Sequence, residues 1–329
     1  MNAGGGSGGY RLLADIGGTH ARFALQRRGR RPGRFRVLET GAYRGLAPAL
    51  KAYLGNWPGT RPEAAALAVA APLTEDRVRF TNAAWSFSRS ALSRRTGIAR
   101  VNVLNDFEAL AWALPGLAGK DIAKIGRGRR DGVTPQAVFG PGTGLGVACY
   151  VPEAAGGPAA LATEGGHATL AAGSDREAAA IASLRRRFGH VSAERVLSGP
   201  GLANLYGSLA ALDGGVGAKD AAPSAIARAA RAGRDAHAVE ACAMFSALMG
   251  QVAGDLALQF GARGGVYVAG GVIKGLGDAF DRRAFRRRFE AKGRYKGWLA
   301  AVPTFLITHP RPAMAGLARF LDRHAGPAE

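Results

Sequence analysis

Two stretches of the chain share one pattern: an apolar alternating run, a glycine bend, then a second apolar alternating run. LLADIGGTHARFAL, Leu12 to Leu25, is the first, and AVFGPGTGLGVACYV, Ala137 to Val151, is the second. Alternation at period two around glycine predicts two β-hairpins, and such bends can present backbone N–H groups to an anion. Tyr10 to Ile16, Ala21 to Gln26 and Phe35 to Thr40 read as a three-strand meander whose first bend falls at Gly17 and Gly18. Leu46, Ala49, Leu50, Tyr53 and Leu54 recur at helical spacing and stop at Gly55, before the buried-strand run from Ala64 to Ala71. A short strand at Val78 to Phe80 and a helix from Ser88 to Thr96, ended by Gly97, follow.

Val101 to Leu104 is another short apolar strand, and it runs straight into Asn105, Asp106 and a helix broken at Pro115 and Gly116. Asn105 and Asp106 therefore sit at a strand's carboxyl end, the side on which open α/β sheets bind ligands. The second hairpin then restarts the pattern. Helical stretches follow it, including a long one from His237 to Phe260, then a buried strand GGVYVAGG from Gly264 to Gly271, a last strand from Pro303 to Thr308 and a final helix from Ala313 to Arg323. Both halves open with a strand–glycine–strand hairpin and go on to alternate strands with helices. That is a structural duplication without a sequence repeat.

Length fits this organisation, since 329 residues exceed one small core and suit two α/β lobes with a cleft. The expected lobes are residues 10–117 with 311–329, and 118–310, after a disordered stretch at 1–9, MNAGGGSGG. With 47% hydrophobic and 21% charged residues the body is of ordinary globular composition. No run of about 18 uninterrupted apolar residues occurs and no basic stretch followed by an apolar one opens the chain, so a cytoplasmic protein with no membrane partner is expected. Cys149 and Cys242 lie inside strand-like and helix-like runs and read as core thiols. The net charge of +20 is spread over short arginine clusters, Arg27 to Arg36, Arg127 to Arg130, Arg185 to Arg187 and Arg282 to Arg288. Neither helix-turn-helix nor zinc-finger spacing nor an aromatic platform accompanies it, so no specific nucleic-acid partner is expected.

The glycine string Gly140, Gly142, Gly144, Gly146 is followed by the alternating Leu145, Val147, Cys149 and Val151. A dinucleotide fold requires a helix there, which excludes it, and no GxxxxGK[ST] motif is present. In Asp15-Ile16-Gly17-Gly18-Thr19 the glycines allow close approach of a phosphate and Thr19 offers a hydroxyl. Asp15 would repel that phosphate unless a cation stood between them, which implies Mg²⁺ held through water. The alternative is a tight hairpin in which Asp15 accepts turn N–H groups. Asp106 suits the removal of a proton from an attacking sugar hydroxyl, or it caps the helix that follows. Glu164, His167 and Glu194, close to turn glycines, are natural partners for vicinal hydroxyls or ordinary surface groups; His167 lacks the spaced partners of a metal ligand.

DIGGTHARFAL, VLNDFEA, GPGTGLG, TEGGH, ERVLSGPGL and the glycine pair of VAGG, in this order from about residue 12 to the C-terminus, resemble the bacterial ATP-dependent glucokinase family. The resemblance implies the actin-like superfold, a duplicated ribonuclease H-like α/β fold of two lobes around a central cleft, shared with hexokinase and heat-shock-70 proteins. It implies transfer of the γ-phosphoryl of ATP to the 6-hydroxyl of glucose with Mg²⁺, and a homodimer. On this resemblance Asp15, Gly17, Gly18 and Thr19 form the first phosphate turn, with Asp15 on the metal, and Gly140, Gly142, Thr143 and Gly144 form the second. Gly270 and Gly271 lie beside the adenosine. Asn105, Asp106, Glu164, His167 and Glu194 hold glucose with Asp106 as base, and Asn82 lines the sugar side. The related repressor and sugar-kinase family carries a cysteine-rich zinc loop after its EGGH-like motif, which two cysteines cannot supply. The alternatives are a kinase for another hexose or an amino sugar, a polyphosphate donor, or a non-catalytic nucleotide-binding or nucleic-acid-binding protein.

Overall fold

The computed structural model describes residues 9–55, 57, 59, 61–71, 76–80, 85–154, 157–215 and 221–324. The stretch expected to be disordered thus lies outside the described residues except for Gly9, and Asn82 lies outside them too. The chain divides into two compact units, one of residues 1–117 with 309–329 and one of 118–308.

In the first unit the meander is β1 (Tyr10–Ile16), β2 (His20–Arg27) and β3 (Gly33–Glu39), followed by helix α1 (Leu46–Leu54) and β4 (Ala64–Val69). A small hairpin, β5 (Arg77–Arg79) with β6 (Ser86–Ser88), precedes α2 (Arg89–Thr96), β7 (Arg100–Asn105) and α3 (Asp106–Ala113). The main sheet has the order β3-β2-β1-β4-β7. The meander pairs are antiparallel, and β1, β4 and β7 run parallel. Strands β1 and β4 are central, so Leu12, Leu13, Ala14 and every residue of β4 are buried. Burial on both faces explains their continuous apolar character. At the edge, β3 exposes Phe35 and Val37.

Parallel pairing sets the register that matters for function. Ile16 pairs with Val69 and Val69 with Asn105, so β1 and β7 end at one level. The chain's last helix, α11 (Pro312–Arg323), belongs to this unit and packs on α3. Their approach requires glycine, because a Cβ at Gly316 would stand 1.7 Å from the carbonyl oxygen of Ala109. Trp112 and Phe320 meet edge to face at 5.7 Å, and the buried Arg11 on β1 reaches Asp322 at 2.6 Å.

The second unit repeats the plan. It contains β8 (Ile122–Lys124), β9 (Gln136–Pro141), β10 (Leu145–Ala154), β11 (Gly157–Thr163), β12 (Gly265–Val268) and β13 (Thr304–Ile307), in the sheet order β11-β10-β9-β12-β13-β8. Again a three-strand meander adjoins two further strands parallel to its first, and β8 adds an antiparallel edge. A meander followed by two parallel strands, present twice, is the duplicated ribonuclease H-like arrangement. Helices α4 (Asp175–Phe188), α5 (Gly199–Leu212), α6 (Pro223–Ala232) and α7 (Ala236–Phe260) separate β11 from β12. Next come α8 (Gly271–Leu276), α9 (Arg282–Glu290) and α10 (Lys296–Ala301), before β13.

By length and composition α7 could cross a membrane, yet Phe245, Leu248, Met249 and Leu256 are buried in this unit's core. Two glycines inside it, Gly250 and Gly254, let α9 approach. A Cβ at Gly250 would meet the carbonyl oxygen of Phe285 at 2.0 Å.

Candidate active site

Within the first unit, the carboxyl ends of β1 and β7 carry the Asp15 to Thr19 turn and the Asn105-Asp106 pair. With β4 between them at about 4.8 Å per strand, the two ends stand about 10 Å apart along one sheet edge. Asp15 pairs across the hairpin with Arg22, whose guanidinium lies 3.6 Å from its carboxylate. Burial pushes the Asp15 carboxyl above the usual carboxylate range and Arg22 only partly offsets this. The side chain nevertheless keeps 26% of its surface open, enough for a ligand to reach it.

The bend itself is closed by Gly17 N–H donating to His20 O at 3.0 Å, not to Asp15. The alternative in which Asp15 accepts the turn's N–H is therefore not what forms. Thr40, the first residue after β3, donates its hydroxyl to Gly18 O at 2.6 Å and its N–H to Thr19 O at 2.9 Å.

At the other strand end the cap is Asn105 rather than Asp106. Asn105 Oδ1 accepts from Phe107 N–H at 2.9 Å and Glu108 N–H at 3.3 Å, and Glu108 Oε2 accepts from Asn105 N–H at 3.2 Å, a complete capping box. Asp106 is the first residue of α3, half-buried, with Oδ1 accepting from Phe107 N–H at 2.9 Å. Its charge sits at the helix's positive end, where carboxylates are favoured.

In the second unit the residues singled out form one hydrogen-bonded assembly. Glu194 accepts Leu145 N–H at 2.8 Å, just past the Gly140 to Gly144 bend, and Glu194 N–H donates to Gly166 O at 2.9 Å. Gly199 N–H, opening α5, donates to Gly142 O at 2.8 Å, and Gly142 N–H closes the bend on Gly144 O at 2.8 Å. Glu164 precedes the Gly165–His167 turn and His167 ends it, their side chains 3.9 Å apart and 72% and 61% exposed. They are thus open to a polar ligand, while Glu194 is tied into the bend.

The glycines divide by what surrounds them. A Cβ at Gly140 would lie 2.5 Å from Ala269 O, and one at Gly270, where φ is 102°, would lie 2.2 Å from Pro141 O. Those two are demanded by packing between the ends of β9 and β12. Around Gly142 and Gly271 the space is open to 4 Å, so a ligand can come close. Beside Gly270 a cavity of about 670 Å³ is walled by Val268, Ile273, Lys274, Phe280, Arg283 and Thr308, large enough for a nucleoside. Another cavity, of about 660 Å³, lies along α1 and α2 of the first unit, where Leu50, Leu54 and Trp57 meet Lys51, Arg61 and Arg95, and takes in none of these residues.

Among the described residues no group of three or more His, Cys, Asp or Glu is placed to hold a metal. A lone reachable carboxylate, Asp15, fits Mg²⁺, which keeps several waters and draws its other ligands from phosphate.

A family model described as Glucokinase matches residues 12–324. The chain belongs to the glucokinase family. A glucokinase from Paramagnetospirillum magneticum is 48% identical over 93% of this chain and 96% of its own length. Another, from Aromatoleum aromaticum, is 49% identical over 95% and 94%. Among solved structures, a glucokinase from an Antarctic psychrotroph superposes with a TM-score of 0.87 at 36% identity, covering 95% of this chain and 99% of that one. The activity is that of this family: an ATP-dependent hexose kinase that transfers the γ-phosphoryl group of ATP to the 6-hydroxyl of glucose, giving glucose 6-phosphate and ADP. The readings as a dinucleotide-fold protein or a non-catalytic nucleic-acid binder are set aside.

One contributor, Thr40, is not singled out by the sequence; Glu194 is, but its tie to the second bend has no local sequence signal. Thr40 lies 22 residues from the carbonyl it holds, and the Glu194 bond to Leu145 spans 49 residues. Thr40 was nevertheless within reach of the meander, since His20 pairs with Glu39 and so sets Thr40 against Thr19.

Proposed function

We propose that Asp106 is the base that accepts the proton of the glucose 6-hydroxyl as that oxygen attacks the γ-phosphorus. The observation that carries this is its position: the first residue of α3, at the end of a strand whose last residue is level with the end of β1. A sugar hydroxyl is a poor nucleophile until its proton has somewhere to go, and a carboxylate within hydrogen-bond reach supplies that. Asn105 contributes its amide to the sugar while its carbonyl oxygen remains on the helix cap. In the second unit, Glu164 and His167 carry further sugar-binding groups, and Glu194 joins them through its tie to the Gly165–His167 turn.

For the donor, Gly17, Gly18 and Thr19 of the first unit and Gly140, Gly142, Thr143 and Gly144 of the second are read as phosphate turns. Gly270 borders the nucleoside cavity, and its neighbour Gly271, with open space where a Cβ would stand, leaves room for close approach. Asp15 would hold Mg²⁺ through water, and the ion when bound supplies positive charge to the transferring phosphoryl oxygens. Arg22 balances Asp15 in the absence of the ion.

The same reading places the enzyme in the cytoplasm, as a homodimer that supplies glycolysis with glucose 6-phosphate. A coupled assay of ADP release, run over a panel of hexoses and amino sugars with ATP and with polyphosphate, tests the assignment. Glucose with ATP should give the highest kcat/KM. A preference for another sugar or for polyphosphate would overturn the specificity, and loss of Mg²⁺ dependence would overturn the role of Asp15.

A further inference from the structure

Both glycine bends are gripped from behind in the same way. In the first, the carbonyl oxygen of Gly18 accepts the Thr40 hydroxyl at 2.6 Å. In the second, the carbonyl oxygen of Gly142 accepts Gly199 N–H at 2.8 Å. A trans peptide carries its C=O and its N–H on opposite sides, so each grip turns the following residue's N–H away from the element that holds it. The following residue is threonine in both bends, Thr19 and Thr143, and both are exposed.

The grip in the first bend is the more specific. Thr40 is 4% exposed and uses two donors, its hydroxyl on Gly18 O and its N–H on Thr19 O, so two successive peptide planes are fixed by one residue. The bend's own backbone bond, Gly17 N–H to His20 O, spans the Gly18–Thr19 peptide without engaging it, and neither Gly17 nor Gly18 adopts a positive φ that would set its orientation. A two-glycine bend left to itself has many conformations to lose on binding. Holding it in one of them beforehand removes that cost from the binding step.

We propose that Thr40 is a positioning residue for the phosphoryl donor: its hydroxyl sets the Gly18–Thr19 peptide so that Thr19 N–H faces outward to meet a phosphate oxygen. This rests on the reading of the first bend as a phosphate turn. Thr40 touches neither substrate and acts through the backbone it holds. In the second bend the equivalent anchor is the Gly199 backbone N–H, which only proline would remove and then with its own backbone constraint, so the first bend gives the cleaner test by substitution.

The test compares Thr40→Val, which deletes the hydroxyl at nearly constant volume, with Thr40→Ser, which keeps it, and with Asp15→Asn. Each is assayed for KM of Mg·ATP, KM of glucose and kcat, with melting midpoints recorded alongside. Loss of one net hydrogen bond corresponds to about a 3- to 10-fold change. Thr40→Val should lower kcat/KM for ATP by about that factor while the glucose KM stays within twofold, and Thr40→Ser should stay within twofold of the parent for both. Should Thr40→Val reduce stability too far to assay, Thr40→Ser decides alone: a loss of ATP kinetics in it, with the hydroxyl retained, overturns the proposal. Unchanged ATP kinetics in Thr40→Val beside impaired kinetics in Asp15→Asn overturns the role of Thr40 and leaves the phosphate turn standing. If Asp15→Asn is also unimpaired, the reading of the bend itself fails.

Discussion

Asn105 and Glu108 cap one another: the Asn105 side-chain Oδ1 accepts Glu108 N–H at 3.3 Å, and the Glu108 carboxylate accepts Asn105 N–H at 3.2 Å. Asp106 lies inside that box, so the helix start and the proposed base are fixed by the same bonds. Asn105→Ala removes the acceptor for two backbone N–H groups and should cost about 0.5–2 kcal/mol in denaturant unfolding. It should lower kcat as well, since Asp106 loses its support. Glu108→Gln keeps an acceptor for Asn105 N–H. Burial holds the Glu108 carboxyl above its ordinary range, so its ionised form burdens the fold at neutral pH. The glutamine variant should therefore be at least as stable as the parent at pH 7, and its unfolding midpoint checks this.

The role of Asp106 is separable from its place at the helix start. Asp106→Asn keeps the size and a helix-start acceptor but removes the basic carboxylate. Turnover should fall by about 10²-fold or more, with nucleotide and glucose affinity measured by calorimetry within a few-fold of the parent. Near-normal kcat would remove Asp106 from the base role. A parallel loss of affinity would make it a binding group first.

Asp15 gives a pH signature whose sign follows from its surroundings. Desolvation raises its carboxyl in the folded state, and the Arg22 guanidinium recovers only part of the loss. The protonated form is thus favoured by folding, and the benefit it brings is complete below the unfolded value of about 4 and lost as pH rises through the folded value. Asp15→Asn cannot ionise, so its stability relative to the parent should be near equal at low pH and should gain with rising pH. Melting midpoints of the two proteins between pH 4 and 8 measure this. Mg²⁺ favours the ionised carboxylate, so in the parent the Mg²⁺ concentration for half-maximal rate should increase as pH falls through the folded value.

The hairpins, the strand-to-helix junction at Asn105 and the duplication were legible because glycines and apolar runs punctuate the chain locally. Less legible was which residue does what at those points. The capping preference of Asn and Asp is nearly equal, so sequence alone left Asp106 as a candidate cap; the helix begins one residue earlier than Phe107, and Asn105 takes the role. Thr40 acts on backbone groups brought near by strand pairing and Glu194 on one brought near by its own tie to the Gly165–His167 turn, and no local pattern reports that. Gly140 and Gly270 look like ligand glycines in a glycine-rich string, yet each faces the backbone of a neighbouring strand end. Contacts of that kind depend on the parallel pairing of β9 with β12, whose partners lie more than a hundred residues apart along the chain.

That division among glycines is itself testable. At Gly270 a side chain meets both a φ of 102° and the Pro141 carbonyl oxygen at 2.2 Å, and at Gly140 it meets the Ala269 carbonyl oxygen at 2.5 Å. Neither neighbour is a flexible side chain, so the strand ends must separate. Gly270→Ala and Gly140→Ala should each destabilise the protein by more than about 2 kcal/mol, whatever they do to catalysis. Gly142 has no positive φ and nothing within 4 Å of where a Cβ would stand. Gly142→Ala should fold with a melting midpoint close to the parent's, and yet raise the KM for ATP, because the methyl occupies space that a phosphate must enter. Stability and ATP kinetics measured on all three variants separate the two kinds of glycine. If Gly142→Ala leaves the ATP KM untouched, the second bend does not receive the donor phosphates, and Thr143 loses its proposed role with it.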